Sequence, residues 1–178
     1  MNSDHLIILS GKAGSGKTSV GHLLARSLDY EFLSMGNFSR DHARTYHDMD
    51  INQFQDYCKA HPDVDAQLDD WFVRDITTKV AAGHRLVVDY RLGVHFFPKA
   101  RSIFLEVSDA VAAYRVTARK DETGETVEAR NENMRHRLLA AYGFDFTDLS
   151  KYKLTICTDL LGEAEVLTAI IAYLYASR

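Results

Sequence analysis

Residues 11–18 read Gly-Lys-Ala-Gly-Ser-Gly-Lys-Thr, and they limit the fold more than any other stretch of the chain. The residues before them, 5–10 (His-Leu-Ile-Ile-Leu-Ser), form a short apolar run of the kind that makes a buried parallel strand. After Lys17 the pattern switches to helical spacing, with Val20, Leu23, Leu24 and Leu28 on one face. A glycine-rich loop between a strand and a helix start is a phosphate cradle. Gly11, Gly14 and Gly16 permit backbone angles and close approaches that a Cβ would block. The amides of Gly11, Lys12, Ala13, Gly14, Ser15 and Gly16, with those of Lys17, Thr18 and Ser19 at the helix start, aim partial positive charge at phosphate oxygens. A turn that only capped a helix would not need all eight positions of this pattern in this frame.

Each remaining part of the motif has its own task. Lys17 sets a full positive charge against the β- and γ-phosphates of a nucleotide, and Thr18 offers a hydroxyl to Mg²⁺. ATP and Mg²⁺ are therefore the expected cofactors. Asp89 closes an apolar run at 85–89 (Arg-Leu-Val-Val-Asp), and open parallel sheets place ligand groups at such strand ends. A carboxylate there can hold Mg²⁺ through water or orient an acceptor.

The rest of the chain repeats the same rhythm. Strand signals fall at 30–34, 85–89, 102–107 and 154–157, with the second strand ended by Gly36. Between the second and third strands the pattern is helical. Asp50 and Gln53 form a capping box, Pro62 suits a helix start, and Val64, Leu68, Trp71, Phe72, Ile76 and Val80 follow at three-to-four spacing up to Gly83. Trp71 is expected in the core. The expected fold is α/β: a P-loop NTPase with a five-stranded parallel sheet and helices on both faces, a helical acceptor-binding insert and a small lid. The expected boundaries within this single kinase domain are core 1–35, 84–118 and 143–178, insert 36–83 and lid 119–142.

Composition excludes several classes. The 178 residues are 46% hydrophobic and 26% charged, enough apolar material for a sizeable core. A net charge of −4 argues against a general nucleic-acid binder, and no apolar run is long enough to span a bilayer. Cys58 and Cys157 lie too far apart for a metal motif, and the eight histidines contain no HExxH pair. A polar start and few cysteines suit a cytoplasmic protein acting on a small molecule; the pattern is silent on oligomeric state.

Phosphoryl transfer loads negative charge onto oxygens in flight, so catalysis depends on cations around them. Arg115 and Arg119 are helical neighbours. Arg130 and Arg137 lie about 20° from alignment and roughly 10 Å apart along a helix, whereas Arg135 is about 140° round from Arg130. The four paired arginines flank a polar break at 121–124 and are expected to close over the transferring group; Arg135 is expected to face elsewhere. Arg40 and Arg91, near strand ends, are expected to meet an acceptor phosphate.

These residues resemble the nucleoside monophosphate kinases, and within them the cytidylate kinases of the short, archaeal-like type. The likeness covers nearly the whole chain. It includes 34–40 (Ser-Met-Gly-Asn-Phe-Ser-Arg), 89–92 (Asp-Tyr-Arg-Leu), and Arg130, Arg135 and Arg137 followed by Tyr142-Gly143-Phe144-Asp145. The resemblance implies transfer of the ATP γ-phosphate to CMP or dCMP. It also implies that Ser34, Gly36, Asn37, Arg40 and Arg91 bind the acceptor. Tyr90 replaces a usual glycine, Asn37 a usual aspartate and Lys153 a usual aspartate; the bulk of Tyr90 is expected to narrow the acceptor site. Two other readings share the core: a kinase for a sugar acid or shikimate-like alcohol with Asp89 as base, or a nucleotide-binding protein with reduced transfer.

Overall fold

The computed structural model describes residues 5–118 and 126–177. Five strands, β1 (Leu6–Gly11), β2 (Glu31–Ser34), β3 (Leu86–Asp89), β4 (Arg101–Glu106) and β5 (Leu154–Cys157), form one parallel sheet in the order β2-β3-β1-β4-β5. The helices are α1 (Lys17–Leu28), α2 (Met35–His47), α3 (Ile51–Ala60), α4 (Pro62–Ala81), α5 (Gly93–Phe96), α6 (Asp109–Ala118), α7 (Val127–Tyr142) and α8 (Glu163–Ala176), with a 3₁₀ turn at Leu149–Lys151. Among the described residues no helix is long and apolar enough to cross a membrane.

The strands read as continuous apolar runs because both faces are covered. Leu6, Ile8, Leu86 and Val88 point to one face, where they pack with Phe72, Ile76 and Val80 of α4. Ile7, Leu9, Val87, Ile103 and Leu105 point to the other and meet Val20 and Leu24 of α1 and Val166, Ile170 and Leu174 of α8. Alternation across a strand with period two produces both cores from the same residues.

The helix ends follow their cap chemistry. Asp50 accepts from the N–H groups of Asn52 and Gln53 at 2.8 and 2.9 Å, while the Gln53 side chain accepts from Asp50 N at 2.9 Å, completing the box. Thr126 caps α7, and Gly143 ends it in the left-handed region with φ 59°.

Two expectations need correction, and one helix went unread. Gly36 does not end β2: α2 starts at Met35 and runs through it, with extended Ser34 before it. Helix α5 was not foreseen, since four residues are too short to show a period. Trp71 is 41% exposed and lies against the His42 ring at 5.0 Å. It neighbours Phe72, about 100° away around the helix, so both cannot face the same core, and Phe72 takes it.

Candidate active site

The phosphate loop joins β1 to α1 at the carboxyl edge of the sheet. A Cβ on Gly11 would lie 2.2 Å from the Leu105 carbonyl oxygen, and one on Gly14 would lie 2.8 Å from Ala112 Cα, so neither position admits a side chain. Lys17 opens α1 and folds back over the loop. Its buried Nζ donates to the Lys12 carbonyl at 2.6 Å and to Ser15 Oγ at 3.4 Å. Lys12 itself faces Asp109 at 3.6 Å.

Asp89 ends β3 beside β1, paired in register with Leu9. Its Oδ2 accepts the Thr18 hydroxyl at 2.9 Å, bringing together residues 71 positions apart. One hydroxyl and one carboxylate at a phosphate loop are the donor set a Mg²⁺ ion uses when phosphates and waters complete its shell. Among the described residues no group of three or more His, Cys, Asp or Glu is arranged to hold a metal alone. The protein groups thus fit Mg²⁺ carried by a nucleotide, with Thr18 and Asp89 as the residues that would hold it and charge neutralisation as what it would supply.

Positive charge is concentrated around this one carboxylate. The Lys17 ammonium is pushed down to about 7, by burial first and then by Arg91 and Arg130, with Asp89 opposing them. Burial likewise brings Arg91 down to about 10, with Asp89 opposing and Arg130 and Arg137 reinforcing the shift. The Arg91 guanidinium lies over the Phe146 ring at 5.5 Å, and its Nε is buried without a hydrogen-bond partner. Buried cations crowded in this way favour an incoming anion.

Among the described residues, the lid arginines expected from the sequence, Arg115, Arg130 and Arg137, have different partners. Arg130 contributes to the field at Lys17 and Arg91. Arg137 donates from Nη1 to both carboxylate oxygens of Asp65 on α4, at 2.8 and 2.7 Å. Arg115 donates to the Thr158 carbonyl at 2.6 Å, to Thr158 Oγ1 at 3.0 Å and to the Gly14 carbonyl at 3.5 Å. It lines a cavity of about 170 Å³ with Ser15, Gly16, Val20 and Leu161, on the β5 side of the loop. Arg119 and the break at 121–124 lie outside the described residues. Arg135 turns away to Asp145 at 2.9 Å, as its angle round the helix requires.

The acceptor candidates sit where β2 and β3 end together. Ser34 is buried and pairs in register with Asp89. Gly36, Asn37 and Arg40 follow on α2, where Arg40 Nη2 donates to Asn37 Oδ1 at 2.6 Å.

Sequence reasoning missed Asp69 and Asn131. Asp69 is buried on α4 and accepts the hydroxyls of Tyr90 at 2.6 Å and Tyr142 at 2.8 Å, one on each oxygen. Burial raises its carboxyl pKa, against the pull of the two hydroxyls. A carboxylate four residues after Asp65, inside the stripe of Leu68, Phe72 and Ile76, was the available signal. Tyr90 is correspondingly part of the core. It meets Phe72 edge-on at 5.2 Å and stacks on Phe96 at 6.2 Å. Tyr90→Phe should cost about 1–3 kcal/mol by stranding one Asp69 oxygen, and Tyr90→Gly roughly 3–5 kcal/mol through the cavity it leaves. Urea denaturation of the two variants measures both losses.

A family model described as an AAA domain matches residues 7–138. The chain belongs to the AAA-domain family of P-loop kinases. It is 32% identical over 162 residues to a cytidylate kinase of Pyrobaculum arsenaticum, covering 88% of this chain and 85% of that one. It is 41% identical over 176 residues to an S-adenosylmethionine-dependent nucleotide dehydratase of Lacinutrix mariniflava. That match covers 97% of this chain but only 36% of the relative, so this chain spans about a third of it. A shikimate kinase from Acinetobacter baumannii, solved with shikimate, superposes at TM-score 0.66 with 18% identity, covering 97% of this chain and 94% of that one. That likeness concerns the fold alone. ATP and, with it, Mg²⁺ are the cofactors such a P-loop kinase implies.

Proposed function

We propose that this P-loop kinase transfers the γ-phosphoryl group of ATP to a nucleoside monophosphate, with CMP or dCMP as the preferred acceptor, yielding ADP and the nucleoside diphosphate. The observation that carries the reading is the set of cations Lys17, Arg91 and Arg130 gathered about Asp89 and Thr18, with Lys17 and the Arg91 Nε buried. It lies between a phosphate loop and the end of β2, where a second anion can be received. The cytidylate kinase relatives, and a relative named for acting on a nucleotide, favour a nucleotide acceptor.

Each residue has a role in this proposal. Lys17 and the amides of residues 11–19 bind the triphosphate. Thr18 and Asp89 support Mg²⁺, which spreads the charge of the phosphates. Arg115 holds the base side of the nucleotide. Arg40 and Arg91, with Ser34, Gly36 and Asn37, hold the acceptor, and Arg130 screens the transferring group. We assign 36–83 as the acceptor-binding insert and 119–142 as the lid. Arg137 then joins the two, through Asp65. The acceptor phosphate oxygen is already anionic at neutral pH, so no strong base is required. What the protein must supply is in-line positioning and exclusion of water, which would otherwise take the phosphoryl group.

The test is ADP release with a panel of nucleoside monophosphates, sugar acids and shikimate-like alcohols. CMP or dCMP should turn over fastest. Turnover of an alcohol with none of any monophosphate would overturn the acceptor assignment and make Asp89 a general base. ATP binding with negligible transfer to every acceptor would select a nucleotide-binding role.

A further inference from the structure

Asn131, in the first turns of α7, is 6% exposed. Its Oδ1 accepts the backbone N–H of Ala13, in the middle of the phosphate loop, at 2.8 Å and across 118 positions of sequence. A backbone N–H can only donate, so this bond fixes the amide: oxygen toward Ala13, nitrogen on the other arm of the same plane. That Nδ2 is buried and has no hydrogen-bond partner. Amide geometry keeps it within roughly 5 Å of Ala13 N, hence at the loop. Buried donors are nearly always paired, so an acceptor oxygen belongs beside it. The preceding residue, Arg130, acts on Lys17 and Arg91, which puts this turn of α7 next to the phosphate basin.

We propose that Asn131 distinguishes triphosphate from diphosphate: Nδ2 donates to a γ-phosphate oxygen while Oδ1 holds Ala13, so α7 is fastened to the loop at two points only with ATP bound. The inference rests on the ATP-binding reading above. After transfer the accepting oxygen leaves with the phosphoryl group, Nδ2 is again unpaired, and α7 keeps one attachment to the loop. Lys17 and the remaining loop amides bind both nucleotides, so the discrimination falls to the lid side.

Asn131→Asp tests this directly, because it keeps the shape and the acceptor for Ala13 N while replacing the donor with an anionic oxygen. Wild type and variant are titrated calorimetrically with Mg²⁺ plus a non-hydrolysable ATP analogue, and with Mg²⁺ plus ADP. Affinity for the analogue should fall at least about tenfold and that for ADP by no more than about threefold, the scale of one hydrogen bond to a charged group. Equal losses on both nucleotides, or no loss on either, would overturn the proposal. If the aspartate variant fails to fold, Asn131→Ala must still lose more affinity for the analogue than for ADP, and equal losses there overturn it too. Wild type that binds neither nucleotide removes the ATP-binding reading itself, and this inference with it.

Discussion

Lys17→Ala is expected to lower phosphoryl transfer at least about a hundredfold, a loss of about 3 kcal/mol in transition-state stabilisation. The ammonium is buried and, among the described residues, bonded to oxygens of its own loop, so it is already aimed where β- and γ-phosphate oxygens would stand. The loss should appear in kcat as well as in kcat/KM, since the γ-phosphate gains its extra charge on the way to the transition state. Fold stability should not suffer. A charge that burial holds at about 7 destabilises the empty protein, and alanine removes it. A variant with near-normal kcat would contradict the assignment. A variant whose activity and melting temperature fall together would point to a structural lysine instead.

Asp89→Asn carries the second large effect, and it has two opposite signs. Mg²⁺-supported turnover should drop roughly 10–100-fold, the cost of losing a group that holds a metal through water. Affinity for ATP without Mg²⁺ should rise, because Asp89 is the carboxylate that offsets Lys17 and Arg91. The empty variant should also melt at lower temperature, with the same cations left less compensated. Titration with ATP in EDTA, beside steady-state rates in Mg²⁺, separates the two signs. Parallel losses in both assays would reduce Asp89 to a structural partner of Thr18.

The fold was legible wherever one local pattern sufficed. The phosphate loop declared itself by motif and context, and the five strands by apolar runs whose both-face burial the sheet explains. The capping box at Asp50 and the stop at Gly143 were legible for the same reason: their partners lie within a few residues. The start of α2 was not, because Gly36 looks like a breaker until the helix is fastened by Ala43 packing against Phe54 and Leu68. The site was legible only in part. Spacing placed Arg130 and Arg137 on one helix face, but their partners are set by tertiary structure: Arg137 finds Asp65 across 72 positions, and Tyr142 finds Asp69 across 73. Arg115 lies on α6, yet its bonds to Thr158 depend on β5 lying beside β4. Asn131 has no local signal at all; its meaning comes from a single loop amide.

The central claim is that one buried lysine, held largely neutral in the empty protein, is completed by a triphosphate. With the Lys17 ammonium pushed down to about 7, the empty protein at pH 8 carries this lysine largely neutral, whereas the unfolded chain, titrating near about 10.4, carries it charged. Through this group the stability of the empty fold rises with pH across that interval, and ATP should reverse the shift by restoring the proton. Calorimetric titration of ATP with Mg²⁺ at pH 8, in two buffers of different ionisation enthalpy, measures this directly. The account predicts tight binding with uptake of close to one proton per nucleotide, abolished in Lys17→Ala. Absence of binding, or binding with no proton uptake that the alanine variant reproduces unchanged, would contradict it.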